Sequence, residues 1–333
     1  MNYLSHLSKI TRIKGHYPDH NMLRLSSAER TEPFPKIMWK KFLDNLQETD
    51  VRYYPDIDRA LQILSDHTGV PVECLTIGHG SDSVIKNVFE CFVNEGSKVV
   101  TTDPCFPMYK IYGQIRNAMI YTVPYKDKRV DVSGIIDAID DNTSLVVLSN
   151  PSSPIGDLIH GIEDIIKAAR DKDCMILVDE AYGEFAHMPS RVEKYRSYSN
   201  LIVTKTFSKA VGSAGIRFGY GVSKESTANI LAKVKSIYEI TGPTIRWMEM
   251  VIHNWDLVLE YTNQVAANKY IIIRELERQG YEIHHGYCNW FHTTKTDFHE
   301  SIDTKQCTLP WDDRQWTRLC IPSDQESLEL LYR

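Results

Sequence analysis

"VTKTFSKAVGSAGIRFGYG", Val203 to Gly221, is the stretch on which the reading turns. An apolar run from Leu201 to Val203 leads into hydroxyls at Thr204, Thr206 and Ser208. Lys209 follows, then small residues, with Arg217 eight positions after the lysine. A solvated surface lysine needs no such company. A lysine at the end of a buried strand has its ammonium disfavoured, so its pKa falls and its amine becomes a candidate Schiff-base nucleophile.

Working outward, short apolar runs alternate with amphipathic helical segments from about Glu73 onward. "CLTIG", "KVVTTD", "IYTVPY", "SLVVLSNP", "CMILVDEAY", "NLIVTKTFS" and "IRFGYGVS" read as strands. "SDSVIKNVFECFV" places Val84, Ile85, Val88, Phe89 and Phe92 at helical spacing, a helix is expected through Tyr109 to Arg116, and "GIEDIIKAARDKD" reads as another. This alternation predicts an α/β domain with a mostly parallel sheet. The pattern changes after about Gly242. A helical stretch over Arg246–Gln279, with possible turns near Asn254, ends at Gly280, placed as a C′ glycine. "YEIHHG", "NWFHTT" and "WTRLCI" then read as strands of a small sheet. "SDQESLELLYR" reads as a closing helix with Ser323 as cap and Glu326 completing a capping box. The expected division is an N-terminal arm and part of the small domain over 1–45, a large domain over 46–245, and a small C-terminal α+β domain over 246–333.

Ligands of open α/β sheets bind beyond the carboxyl ends of the strands, so the polar residues there carry the information. "GHGSDS" places Ser81 and Asp82 at a helix start, where N–H groups attract an anion, although Ser81 could simply cap the helix. "SNPSSPIG" ends a strand with Asn150, which an ordinary Asn-Pro turn would also explain. Asp179 follows the apolar "MILV" and Tyr182 comes three residues later. A carboxylate there needs a partner or a cation. Taken singly, each has an ordinary structural explanation. Taken in order, asparagine, aspartate with tyrosine, lysine and arginine suit pyridoxal phosphate (PLP). That cofactor needs a lysine for its imine, an acid at its pyridine nitrogen, donors to its ring oxygen and a cradle for its phosphate.

These residues resemble the fold-type I PLP enzymes, in particular the histidinol-phosphate aminotransferase-like branch of class I/II aminotransferases. The resemblance is carried by "NPSSPIG", "VDEAY" and "FSKAVGSAGIRFGY" and runs from about Leu25 to Leu331. It implies that Lys209 forms the imine with the cofactor aldehyde. Asp179 would pair with the ring nitrogen, and Asn150 and Tyr182 would hydrogen-bond the ring oxygen. Phe106 would stack on the ring where the family usually has a tyrosine. Ser81, Asp82, Thr206, Ser208 and Arg217 would hold the phosphate. "RYYPD" is similar to the family's "RYPD" segment, which implies that Tyr54 reaches the neighbouring subunit's phosphate site in a homodimer with shared active sites. "WTRLCIPS" implies that Arg318 clamps the substrate carboxylate. The family's "ANENP" corresponds loosely to "SSAERTEPFP", with Glu29 at the acid. Its second arginine, which serves the substrate phosphate, has only Lys305 or Arg314 here, with Asp312 and Asp313 nearby, and the segment 293–311 is altered. The expected reaction is transamination, with glutamate as donor and an oxo acid or related carbonyl compound as acceptor. Decarboxylation of a phosphorylated amino acid and a non-catalytic regulatory or assembly role are the alternatives.

The bulk numbers agree with a small-molecule enzyme. The 333 residues carry a formal net charge of −6, with 42% hydrophobic and 25% charged residues, which gives no basic footprint for nucleic acid. Seven scattered cysteines without a CxxC fit reduced cytosolic thiols, and so an expected cytoplasmic protein, better than a disulfide framework or a zinc site. The N-terminus lacks an apolar signal region, and no window approaches the ~18 apolar residues of a membrane span. "SVIK" at Ser83 to Lys86 lies on an amphipathic helix without the companion motifs of serine acyl-enzymes. His284 and His285, adjacent in a strand, would face opposite ways and make a poor metal pair.

Overall fold

The computed structural model describes residues 4–17, 19 and 21–332. Its first strand is a two-residue piece, β1 (Leu23–Arg24). A seven-stranded sheet follows: β2 (Leu75–His79), β3 (Lys98–Asp103), β4 (Met119–Pro124), β5 (Thr143–Ser149), β6 (Met175–Asp179), β7 (Leu201–Thr206) and β8 (Phe218–Val222). Its order is β2-β8-β7-β6-β5-β3-β4, and β8 alone runs antiparallel to its neighbours. The seven strands expected from sequence are these seven, with ends shifted by a residue or a few.

The central strands are apolar on both faces because helices cover both faces. Val146, Leu148, Ile176, Val178, Leu201 and Val203 pack on one side with Ile162, Ile165 and Ile166. The alternate residues Leu145, Val147, Leu177 and Ile202 pack on the other with Ile85, Val88 and Phe89. The period-2 alternation of a strand thus feeds two cores at once. One close approach sets the site: a Cβ added at Gly219 of β8 would lie 2.1 Å from the backbone nitrogen of Ser81. Glycine there lets the start of the helix Ser81–Phe92 press against the sheet end.

The C-terminal part holds β9 (Ile283–His284), β10 (Trp290–Thr293), β11 (Ile302–Asp303), β12 (Lys305–Leu309) and β13 (Asp312–Cys320). Four of them form an antiparallel sheet, β12-β13-β10-β9, while β11 pairs with β1. β12 was not expected from sequence, nor was the length of β13, which the two-residue turn at Pro310–Trp311 joins to it. The helical stretch after Gly242 is two helices, Gly242–Ile252 and Trp255–Arg278, broken at His253 and Asn254. Gly280 has φ +92°, and the N–H groups of Gly280 and Tyr281 donate to the carbonyls of Glu277 and Leu276, a Schellman ending. Helix Pro107–Ile115 stops one residue before the expected Arg116.

The closing helix corrects a second expectation. It spans Gln325–Glu329 and is capped by Asp324, whose carboxylate accepts from the Ser327 N–H at 2.8 Å. Ser323 is not the cap, and Glu326 completes no box with it. The Ser323 hydroxyl is bonded to Glu32, and its carbonyl accepts from Asn268 at 2.9 Å, which holds that residue outside the helix.

Candidate active site

The carboxyl ends of the parallel strands open onto a cavity of about 430 Å³. Lys209, Asp179, Tyr182, Phe106, Ser81, Asp82, Thr206, Ser208 and Arg217 all line it, as the sequence reading expected. The Lys209 amine donates to the carbonyls of Ser27 at 3.0 Å and Ala28 at 3.4 Å, and lies 5.4 Å from the centre of the Tyr182 ring. Burial lowers its pKa to about 8, so about a tenth of it is neutral at pH 7.

Asp179 ends β6 and is 4% exposed. It accepts from the Tyr109 hydroxyl at 2.9 Å and from the Thr204 hydroxyl at 3.0 Å. Burial raises its pKa to about 6, with those two donors opposing the rise. A carboxylate held in this way gains from a cationic N–H partner more than a solvated one would.

The third part is a cradle for an anion. The helix Ser81–Phe92 starts after Gly80, at φ +77°, with no side-chain cap, which corrects the alternative that Ser81 caps it. A Cβ at Gly80 would lie 2.5 Å from Arg217 Nη2. Arg217 Nη1 donates to the Ser208 hydroxyl at 3.1 Å and the Ala214 carbonyl at 3.0 Å. The Ser208 N–H donates to the Thr206 hydroxyl at 3.1 Å. Asp82 Oδ1 is buried without a hydrogen-bond partner. A desolvated amine, a buried acid and a glycine-lined cradle of donors fit PLP in each of its three parts.

Three expected residues stand apart from the cavity wall. Asn150 follows β5; its N–H donates to the Asp179 carbonyl and its Oδ1 accepts from Ile159, each at 2.9 Å. Arg318, on β13, donates to the Ser26 carbonyl, lies 5.1 Å from the centre of the Trp290 ring, and keeps a buried Nε without a partner. Trp290 in turn meets Tyr182 edge-to-face at 4.3 Å, so Arg318 connects to the cavity through two rings. Tyr54 is 78% exposed and stacks on Tyr238 at 4.2 Å, away from its own chain's cavity. Of the substitutes for a second arginine, Arg314 is held by Asp312 and Glu282, while Lys305 sits opposite Arg318 in register. Glu29 lines the cavity and pairs with Arg24 at 2.9 Å. His284 meets Asp157 and His285 meets Glu277.

The sequence reading missed Tyr109, Ser27, Ala28 and Trp290, and gave no partner role to Thr204. Two of these had a signal. Tyr109 lies three residues after Phe106 beside a helix start, and Thr204 shares a strand face with Thr206. Ser27 and Ala28 come from the other end of the chain and had none.

Comparison with known proteins agrees with this geometry. Residues 21–278 match the family described as aminotransferase class I and II. A histidinol-phosphate aminotransferase of Clostridium novyi is 27% identical over 321 residues, 93% of this chain and 90% of that one. Another, from Thermoanaerobacter sp., is 32% identical over 273 residues, covering 79% and 77%. Among solved structures, histidinol-phosphate aminotransferase from Sinorhizobium meliloti in complex with pyridoxal-5'-phosphate superposes with a TM-score of 0.81 at 22% identity, covering 93% of this chain and 88% of that one. Fold, strand-end chemistry and family match converge: this chain belongs to the class I and II aminotransferases, which are PLP-dependent enzymes.

Proposed function

We propose that this aminotransferase takes the amino group from glutamate and delivers it to an oxo acid or related carbonyl compound, and that it works as a cytoplasmic homodimer with shared active sites. The observation that carries the reading is that a desolvated Lys209 and a buried Asp179 line one cavity. Asp179 would take the ring nitrogen, Asn150 and Tyr182 the ring oxygen, and Phe106 the ring face. Thr206, Ser208, Arg217 and the N–H groups of Ser81 and Asp82 would hold the phosphate. Asp82 would serve through its backbone, because its carboxylate is an acceptor only.

Bound PLP supplies an electron sink for the pair left at the substrate's Cα. The chain's own residues do the rest. The Lys209 amine, which burial leaves more readily neutral and so free to accept a proton, would carry the proton away from Cα. Asp179 keeps a proton on the ring nitrogen. Arg318 would clamp the substrate carboxylate bidentately, and a fixed carboxylate fixes which bond at Cα stands ready to break. For that, Arg318 must exchange the Ser26 carbonyl for the substrate, and its unpartnered Nε adds a second donor. Tyr54, exposed and remote from its own cavity, fits service to a second copy. The domain division into 1–45, 46–245 and 246–333 belongs to the same reading, with β1 pairing β11 to bring the arm onto the small domain.

The test is a half-reaction. PLP-loaded protein mixed with glutamate is expected to yield one equivalent of 2-oxoglutarate and the pyridoxamine form of the cofactor. Release of carbon dioxide from a phosphorylated amino acid, without the pyridoxamine form, would instead establish the decarboxylase alternative. A panel of oxo acids and carbonyl compounds, phosphorylated and not, then identifies the acceptor.

A further inference from the structure

A second cavity, of about 350 Å³, lies between the helix Trp255–Arg278 and the loop before β10. Lys269 lines it. Its amine donates to the carbonyls of Gly286 at 2.9 Å and Cys288 at 3.0 Å. This repeats the arrangement at Lys209, where an amine also rests on two backbone carbonyls. Burial lowers the Lys269 pKa to about 8 as well. The walls are Phe185, Tyr270 and Tyr287, and the latter two are 64% and 47% exposed, so the mouth is open. Arg274, His187 and His285 also line the cavity. Glu277 is the acid among the lining residues and is engaged with His285 at 3.7 Å.

We propose that this cavity is a second, non-catalytic carbonyl site, in which Lys269 captures a small aromatic aldehyde carrying a phosphate or carboxylate. The neutral amine attacks the aldehyde carbon, both of its hydrogens leave with the carbonyl oxygen as water, and a C=N bond replaces the C=O bond. No oxidant or reductant is required. The aromatic walls take the ring, and Arg274 with His187 takes the anion. Capture replaces an ammonium by an imine nitrogen at the two carbonyls of Gly286 and Cys288. The loop that carries them leads to Trp290, on which Arg318 rests.

The probe is PLP itself, which has the required aldehyde, ring and phosphate. Holoprotein is titrated with excess PLP, reduced with borohydride, digested, and mapped by mass spectrometry. Label at Lys209 is the internal control, so failure at Lys269 and failure of the PLP reading are distinguishable. The expected result is label on Lys209 at one equivalent and a second, saturable label on Lys269 in excess. Lys269→Arg keeps the donors to both carbonyls but cannot form an imine; it should lose the second label and keep the first. Pyridoxal, which lacks the phosphate, should label Lys269 at least severalfold less. An unlabelled Lys269, or label that rises without saturation across surface lysines, overturns the proposal. Equal labelling by pyridoxal overturns the anion selectivity.

Discussion

Lys209 and Lys269 make an instructive pair. Each amine donates to two backbone carbonyls, each borders a cavity, and burial lowers each pKa to about 8. The difference lies in what surrounds them. Around Lys209, strand ends and the helices that follow them supply a buried acid, two hydroxyl donors to that acid, and a glycine-lined helix start facing Arg217. Lys269 projects from the middle of a long helix, and the acid lining its cavity is engaged with a histidine. Burial alone makes an amine nucleophilic. Making it catalytic takes an electron sink held by an acid, and the parallel sheet places such groups together because its loops converge at the carboxyl ends.

The largest effect should separate the two lysines directly. Lys209→Ala removes the proton carrier and the imine, so kcat should fall by roughly 10⁴-fold, the upper range for a positioned acid-base group. The visible absorption that borohydride bleaches in the native protein should vanish with it. Lys269→Arg should leave kcat unchanged. Comparable losses in both variants would erase the distinction drawn here.

Asp179→Asn comes next, and its two readouts move in opposite directions. Without a carboxylate at the ring nitrogen the electron sink weakens, and kcat should fall by roughly 10²-fold or more. Stability of the cofactor-free protein should rise at pH 7. The folded pKa of Asp179, about 6, lies above its ordinary value of 3.8. Its contribution is therefore fully present below about pH 4 and is lost as the pH rises through 6. Asparagine removes that loss, a gain of up to about 3 kcal/mol at neutral pH. Denaturant unfolding of the two apoproteins at pH 4 and 7 tests this; equal stability at pH 7 would show that the acid is not held against its own charge.

Arg318→Ala probes the connection from the small sheet to the cavity. Losing a charge-assisted clamp should lower kcat/KM by roughly 10- to 100-fold, mostly through KM. PLP affinity should stay as it was, because the guanidinium rests on the Ser26 carbonyl and the Trp290 ring and is not among the residues lining the cavity. A loss confined to kcat, or to cofactor binding, would remove the clamp role.

What the sequence made legible follows the same division. All seven strands of the large sheet were readable, and most plainly the central ones, which are covered on both faces, so β5, β6 and β7 carry the apolar runs 145–148, 175–178 and 201–203. The groups at their ends were readable because a strand end is a fixed place relative to its apolar run. β12 was not, since Lys305, Gln306 and Thr308 leave it mostly exposed on the edge of a four-stranded sheet, with little hydrophobic pattern. The cap of the last helix was misplaced by one residue because Ser323 and Asp324 are both good caps, and Glu32, near the other end of the chain, decides between them by engaging Ser323. The carbonyls of Ser27 and Ala28 on Lys209 were out of reach for the same reason: a contact across 181 or 182 residues leaves no mark on local spacing.

Tyr109 gives the smallest and sharpest prediction, because it acts only through Asp179. Its hydroxyl reaches that carboxylate from the helix start at Phe106 and favours the ionised form. Tyr109→Phe keeps the ring packed against Phe106, at 5.4 Å, and removes the donor alone. The carboxylate then loses about 1 kcal/mol of stabilisation, and the Asp179 pKa moves further up from about 6. PLP binding to the apoprotein needs the ionised acid, so affinity should fall as pH drops through that pKa, at a midpoint higher in the variant than in the native protein. At pH 7 the cost in kcat should be no more than severalfold. Labelling of Lys269 should not change, since no part of its cavity touches Asp179. A midpoint that stays in place would mean that the Thr204 hydroxyl, with the backbone N–H of Ala181, holds the acid alone, and that the tyrosine contributes packing and nothing electrostatic.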